Sequence, residues 1–277
     1  MTEPSREPER KSPLRAISPR RPDDLDEGIA PARRGIYLLP NLITTGALFA
    51  GFYSIVAAMN GNVISAAIAT YAAVILDTAD GRVARLTRTQ SAFGAEYDSL
   101  SDMVAFGVAP ALVAFTWALS QLGQLGWVVT FIYMACTALR LARFNSQGGE
   151  IASFTGLASP AAACVVVTTI WVMEDSRSAG ELVGFLEACL IALVTTVVAM
   201  LMVSNFRYFS PKMLTLRGRV PFIALVAVVL VFAIVLADPP RILLALSALY
   251  ALSGPVQWFV RSMKGDADDD GDGEHAG

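Results

Sequence analysis

The chain has 277 residues, 55% of them hydrophobic and only 16% charged, with a formal net charge of −3. A soluble domain carries about 25% charge. Here the deficit is concentrated between roughly Ile36 and Val260 while both ends are polar, which excludes a soluble globular protein and points to a bilayer. The single histidine, His275, stands near the C-terminal end. Histidine general bases, histidine metal sites and Ser-His-Asp triads are thereby excluded, so carboxylates must do any acid–base work. Cys136, Cys164 and Cys189 lie far apart, each inside an apolar run, and form neither a disulfide framework nor a CxxC metal site.

Residues 1–34 mix Pro, Arg, Glu and Asp with few large apolar side chains and cannot bury enough surface to offset ordering entropy. The expectation is a disordered segment without the apolar core of a signal peptide. Its arginines suit anionic lipid headgroups rather than nucleic acid. Eight apolar segments follow, at about 37–59, 62–85, 94–119, 125–145, 155–174, 181–203, 220–237 and 240–261, separated by short turn-like breaks such as Asn60-Gly61-Asn62 and Asp238-Pro239-Pro240. Backbone groups in lipid must be paired within the segment, so these runs are helices. The expected architecture is an all-α polytopic membrane bundle of about eight transmembrane helices, with a membrane domain over 35–262.

An even number of spans puts both termini on one side. Arg33, Arg34, Arg85, Arg88, Arg140, Arg143, Arg207, Lys212, Arg217, Arg219, Arg261 and Lys264 lie near the segment ends on that side, against Arg177 and Arg241 on the other. The asymmetry makes both termini cytoplasmic. The acidic tail, 263–277, begins like a calcium loop at Asp266, but the twelfth position that needs a bidentate Glu is Gly277 and no helix follows. It reads as a solvated, disordered tail.

From Val63 to Leu76 the second segment covers about 21 Å, against a hydrocarbon core of about 30 Å. Asp77 therefore sits inside the membrane, toward the cytoplasmic leaflet. The third segment starts on that side with Gly94, Asp98 and Asp102 and then runs apolar from Met103 to Leu119, about 25 Å. Asp77, Asp80, Gly81, Ala84, Arg85 and Arg88 share one helical face, and Ser91, Gly94, Asp98 and Asp102 share another. Each intramembrane Asp costs roughly 2.5–3.5 kcal/mol on insertion scales, and four together repel unless protonated or bridged by a cation. Oxygen donors with no His or Cys nearby point to Mg²⁺ or Mn²⁺, and pairs of such ions serve phosphoryl chemistry. Gly81 and Gly94 alone would suggest helix packing; beside carboxylates they make room for a bulky ligand. The reading from a different class is a cation transporter that uses the aspartates as its ion site. No repeat supports it, and the carboxylates lie toward one leaflet.

The stretch Asp77-x2-Asp80-Gly81-x2-Ala84-Arg85-x8-Gly94-x3-Asp98-x3-Asp102 resembles the signature of the CDP-alcohol phosphatidyltransferases without departure. The resemblance implies a CDP-activated lipid bound on the cytoplasmic side of a helical bundle and two divalent ions. Asp77, Asp80 and Asp98 would ligate one ion, and Asp77, Asp98 and Asp102 the second, with Asp102 as general base. Asn41, Asp80, Gly81, Arg85 and Ser91 would contact the CDP moiety. Locally, Arg85 also suits a cytoplasmic anchor, and Ser91 and Asn41 suit helix caps.

Four further stretches, Leu39–Thr44, Leu139–Asn145, Phe154–Pro160 and Met202–Tyr208, resemble the membrane-embedded bacterial branch of that family which makes phosphatidylserine. The expected substrates are CDP-diacylglycerol and L-serine in the cell (inner) membrane; glycerol 3-phosphate, inositol phosphate or a second phospholipid are the alternative acceptors within the family. The carboxylate of serine calls for a fixed cation, and Arg140, Arg143 and Arg207 reach the level of the aspartates, unless they are only anchors. Oligomeric state is left open, a homodimer included.

Overall fold

A computed structural model describes residues 31–87, 89–146, 156–178, 182–206, 208 and 222–269. Among the described residues the secondary structure is entirely helical. Helix α1 runs Pro31–Met59 and α2 Val63–Thr87. The third apolar segment is one span, Ala92–Trp117, assembled from α3 (Ala92–Asp102), a π-helical segment (Met103–Val108) and α4 (Ala109–Trp117). Then come α5 (Gln124–Ser146), α6 (Ser159–Asp175), α7 (Phe185–Val203), α8 (Phe222–Ala237) and α9 (Pro239–Asp269).

The eight apolar segments thus become eight helical ones, and six of these are long and apolar enough to cross a membrane. The other two, α6 with 17 residues and α8 with 16, fall just short, at about 26 and 24 Å. The chain is a polytopic membrane protein. The helical region reaches slightly past the expected 35–262, beginning at Pro31 and continuing to Asp269. Pro40 and Asn41 accordingly lie inside α1, not at its start; membrane helices tolerate proline when nearby groups re-satisfy the freed backbone.

The seam between α1 and α2 is lined by small buried residues: Ala47, Ala50, Ala57 and Ala58 on one side, Ala66, Ala67 and Ala73 on the other. Small side chains allow close approach of the backbones, which is where membrane helices gain their packing energy. Within the seam Ser54 donates to the Ala66 carbonyl (2.9 Å) and lies 3.1 Å from the Thr70 hydroxyl. Helix α6 is the central element, with Ala162–Thr168 and Ile170 all buried, whereas Val229, Leu230, Val231 and Phe232 of α8 are exposed to the lipid side.

Two prolines inside the bundle share one solution. Pro110 has no N–H to offer the Phe106 carbonyl four residues back, and the fully buried Tyr133 hydroxyl donates to that carbonyl at 3.1 Å. Pro255 likewise frees the Ala251 carbonyl, which accepts from the Tyr208 hydroxyl at 3.1 Å. The first of these bonds reaches into the π-helical segment directly after Asp102. There Gly107 packs so closely on α5 that an added Cβ would sit 3.1 Å from Thr137 Cγ2.

Candidate active site

Helix α2 delivers Asp77 and Asp80 one turn apart, and α3 delivers Asp98 and Asp102 one turn apart. The two helices bring their carboxylates together. Carboxylate oxygens of Asp77, Asp98 and Asp102 lie within 4.8 Å of one another. Asp98 Oδ1 is buried and has no hydrogen-bond partner among the described residues. Asp80 stands outside this group of three. It is only 4% exposed, and its Oδ2 accepts a 2.6 Å hydrogen bond from Thr44 of α1.

Three half-buried carboxylates brought together, one with an orphaned oxygen, suit a hard divalent cation. Oxygens on one Mg²⁺ at 2.0–2.1 Å stand at most about 4 Å apart, so a spread of 4.8 Å is close to a ligating arrangement. The donor set is oxygen only, since among the described residues no His or Cys joins the cluster, and that disfavours zinc.

Gly81 is not a packing glycine: a Cβ there would touch only Arg85 Nη2, at 3.8 Å. By contrast, a Cβ on Gly51 would strike the Ala105 backbone at 2.6 Å. The space in front of Gly81 is open. Arg85 is exposed, its Nε donating to the Gly81 carbonyl (2.8 Å). Ser91 caps α3, with Oγ accepting from the Gly94 N–H at 3.0 Å, so the local reading of Ser91 holds. Asn41 does not cap α1, because that helix starts ten residues earlier; its Oδ1 would lie 3.4 Å from a Cβ on Gly94. Asn41, Ser91 and Gly94 are therefore neighbours, gathered from α1 and α3.

Of the acceptor candidates, Arg140 is close enough to Asp102 for their charges to interact. Its Nη1 donates to Ser159 Oγ at the start of α6 (2.7 Å), and its Nε is buried without a partner among the described residues. Arg143 turns aside to Asn205, at 2.9 Å. Arg207 and Arg88 lie outside the described residues. Several residues at the site were not anticipated. Thr44 and Thr45 of α1 bond Asp80 and Tyr97 (2.6 and 2.9 Å), Ser101 bonds the Thr44 carbonyl (3.3 Å), and Asn145 bonds Ser99 (3.0 Å). A signal for them was present: Asn41, Thr44 and Thr45 share one face of a span that is otherwise apolar.

A family model described as CDP-alcohol phosphatidyltransferase matches residues 37–253. A CDP-diacylglycerol–serine O-phosphatidyltransferase of Helicobacter pylori is 36% identical over 231 residues, 83% of this chain and 94% of that protein. The enzyme of the same name from Mycobacterium tuberculosis is 42% identical over 144 residues, 49% of this chain and 50% of its own length. An archaetidylserine synthase of Methanothermobacter thermautotrophicus is 34% identical over 172 residues, 61% of this chain and 69% of that protein. With the family match spanning nearly all its helices, the chain belongs to the CDP-alcohol phosphatidyltransferase family.

Proposed function

We propose that the protein transfers the phosphatidyl group of CDP-diacylglycerol to L-serine, giving phosphatidylserine and CMP. The observation that carries this reading is the convergence of Asp77, Asp98 and Asp102 in a chain matching the serine-using enzyme of Helicobacter pylori over 94% of that enzyme's length. Asp77, Asp80 and Asp98 would hold one divalent ion, and Asp77, Asp98 and Asp102 a second. Bound there, Mg²⁺ or Mn²⁺ would neutralise the pyrophosphate and the charge that builds on the phosphoryl oxygens.

The chain's own residues do the rest. Asn41, Gly81, Arg85 and Ser91 receive the CDP moiety in the open space before Gly81, the Arg85 guanidinium meeting phosphate. Arg140 holds the serine carboxylate near Asp102. Asp102 takes the proton from the serine hydroxyl as its oxygen forms a bond to the β-phosphorus. The bond from that phosphorus to the bridging oxygen breaks, and CMP departs with the electron pair. The basic residues flanking the aspartate end set this face toward the cytoplasm of the inner membrane.

The test is release of CMP from CDP-diacylglycerol by the purified protein with a panel of acceptors: L-serine, glycerol 3-phosphate, inositol phosphate and a phospholipid. Serine alone should support turnover. Turnover with another acceptor and not serine would reassign the substrate within the family, and absence of CMP release with all four would sink the transferase reading.

A further inference from the structure

Thr44 belongs to none of the residue sets that the motif supplies, yet it touches both carboxylate helices. We infer that Thr44 is a positioning residue for the acidic cluster: its hydroxyl holds the Asp80 carboxylate, and its backbone ties that carboxylate to the helix bearing Asp98 and Asp102. Thr44 Oγ1 lies 2.6 Å from Asp80 Oδ2, and the two residues are each 4% exposed. The hydroxyl has a second acceptor within reach, the Pro40 carbonyl at 3.1 Å. It has only one proton, and a bond to a carboxylate is the shorter and stronger of the two. The alternatives are unequal: without Asp80 the hydroxyl falls back on Pro40, but without the hydroxyl a buried Asp80 oxygen loses its side-chain donor.

The same step of α1 reaches α3 twice. The Thr44 carbonyl accepts from Ser101 Oγ at 3.3 Å, and Ser101, only 2% exposed, is the residue before Asp102. Thr45 Oγ1 lies 2.9 Å from the hydroxyl of Tyr97, the residue before Asp98. Residues 44–45 therefore join Asp80 of α2 to the neighbours of both aspartates of α3. Partners of this kind, which orient a ligand without touching the ion, typically contribute 10- to 100-fold to metal affinity.

The inference rests on the metal reading above, and the experiment separates the two. Thermal unfolding of the purified protein in detergent is followed against Mn²⁺ concentration, with no turnover involved. The wild-type protein is expected to gain stability once Mn²⁺ exceeds the dissociation constant of its site, and fitting that onset gives the binding midpoint compared below. Thr44→Val should raise that midpoint about 10- to 100-fold, Thr44→Ser should restore most of it, and in an Asp80→Ala background Thr44→Val should shift it no further. The midpoint is independent of any loss of metal-free stability, which a merely structural role would produce. Should Thr44→Val fail to fold, Thr44→Ala is read the same way. An unchanged midpoint in the hydroxyl-free variant, or shifts that simply add in the double variant, would overturn the inference. No stabilisation of the wild type by Mn²⁺ would instead remove the metal reading on which it stands.

Discussion

At the end of the bundle where α4 stops and α6 and α7 meet, acidic side chains face cations. Arg177 lies 2.8 Å from Glu187 and 3.4 Å from Glu174, and its guanidinium sits 4.9 Å from the ring centroid of Trp117, whose Nε1 donates to Glu174 at 2.8 Å. Arg241 bridges Asp238 (2.8 Å) and Asp175 (3.5 Å). At the opposite end Asp77, Asp98 and Asp102 face one another instead, Asp98 keeps an orphaned oxygen, and the arginine near Asp102 directs one nitrogen to Ser159. One fold thus pairs its carboxylates with arginines at one end and gathers three of them against one another at the other. Like charges held together without an internal partner are stable only with added positive charge or protons, and that makes the difference testable.

The largest effects belong to the unneutralised end. Asp77→Asn and Asp98→Asn, which remove ligands proposed for both ions, should each lower CMP release by about 10³-fold or more, since ion-stabilised transition states gain several kcal/mol. A chelator should abolish turnover and Mg²⁺ or Mn²⁺ restore it. Near-normal rates in either variant, or in metal-free buffer, would erase the contrast between the two ends. Next comes Asp102→Asn. Loss of a general base typically costs about 10²–10⁴-fold, and here it should appear in kcat with CDP-diacylglycerol binding retained; weakened binding at unchanged kcat would make Asp102 a binding residue only.

A smaller effect is expected at Arg140. If its guanidinium grips the serine carboxylate as a fork, Arg140→Lys should raise KM for serine about tenfold, the loss of roughly one charged hydrogen bond, while KM for CDP-diacylglycerol stays near its wild-type value. Equal changes in both constants would return Arg140 to the role of an anchor bonded to Ser159.

Much of the aspartate end was legible in the chain because it depends on spacing within two helices, and a helix converts spacing to geometry directly. The eight segments followed from hydropathy for the same reason. What stayed hidden depends on pairings between distant residues. Inside the π-helical segment after Asp102, the Phe106 carbonyl that Pro110 leaves free is answered by Tyr133 from another helix. The side-chain hydrogen bond that holds Asp80 comes from Thr44, 36 residues earlier. The start of α1 at Pro31 was hidden because Arg33 and Arg34 belong by composition to the polar segment before the first apolar run. The latch unites Trp117, Glu174, Arg177 and Glu187, of which only Arg177 stood out, and then as a mere exception to the charge asymmetry.

Within the latch the two arginines should differ, and this is the smallest effect expected. The Arg177 side chain is 10% exposed, and it carries two ion pairs and the contact with Trp117. Its glutamates keep other donors, Trp117 for Glu174 and the Gly184 N–H for Glu187, so Arg177→Gln should cost about 2 kcal/mol, not the larger penalty of an abandoned buried charge. Thermal unfolding in detergent should then move down by several degrees with CMP release per folded molecule unchanged. The Arg241 side chain is 54% exposed, beside partners 35% and 44% exposed. Exposed pairs contribute little and are screened by salt, so Arg241→Gln should shift the transition by only a degree or two, and by nothing measurable in high salt. Equal shifts for the two variants would mean that burial does not decide the strength of these pairs, and a drop in kcat without a change in Tm for Arg177→Gln would tie this end of the bundle to the chemistry.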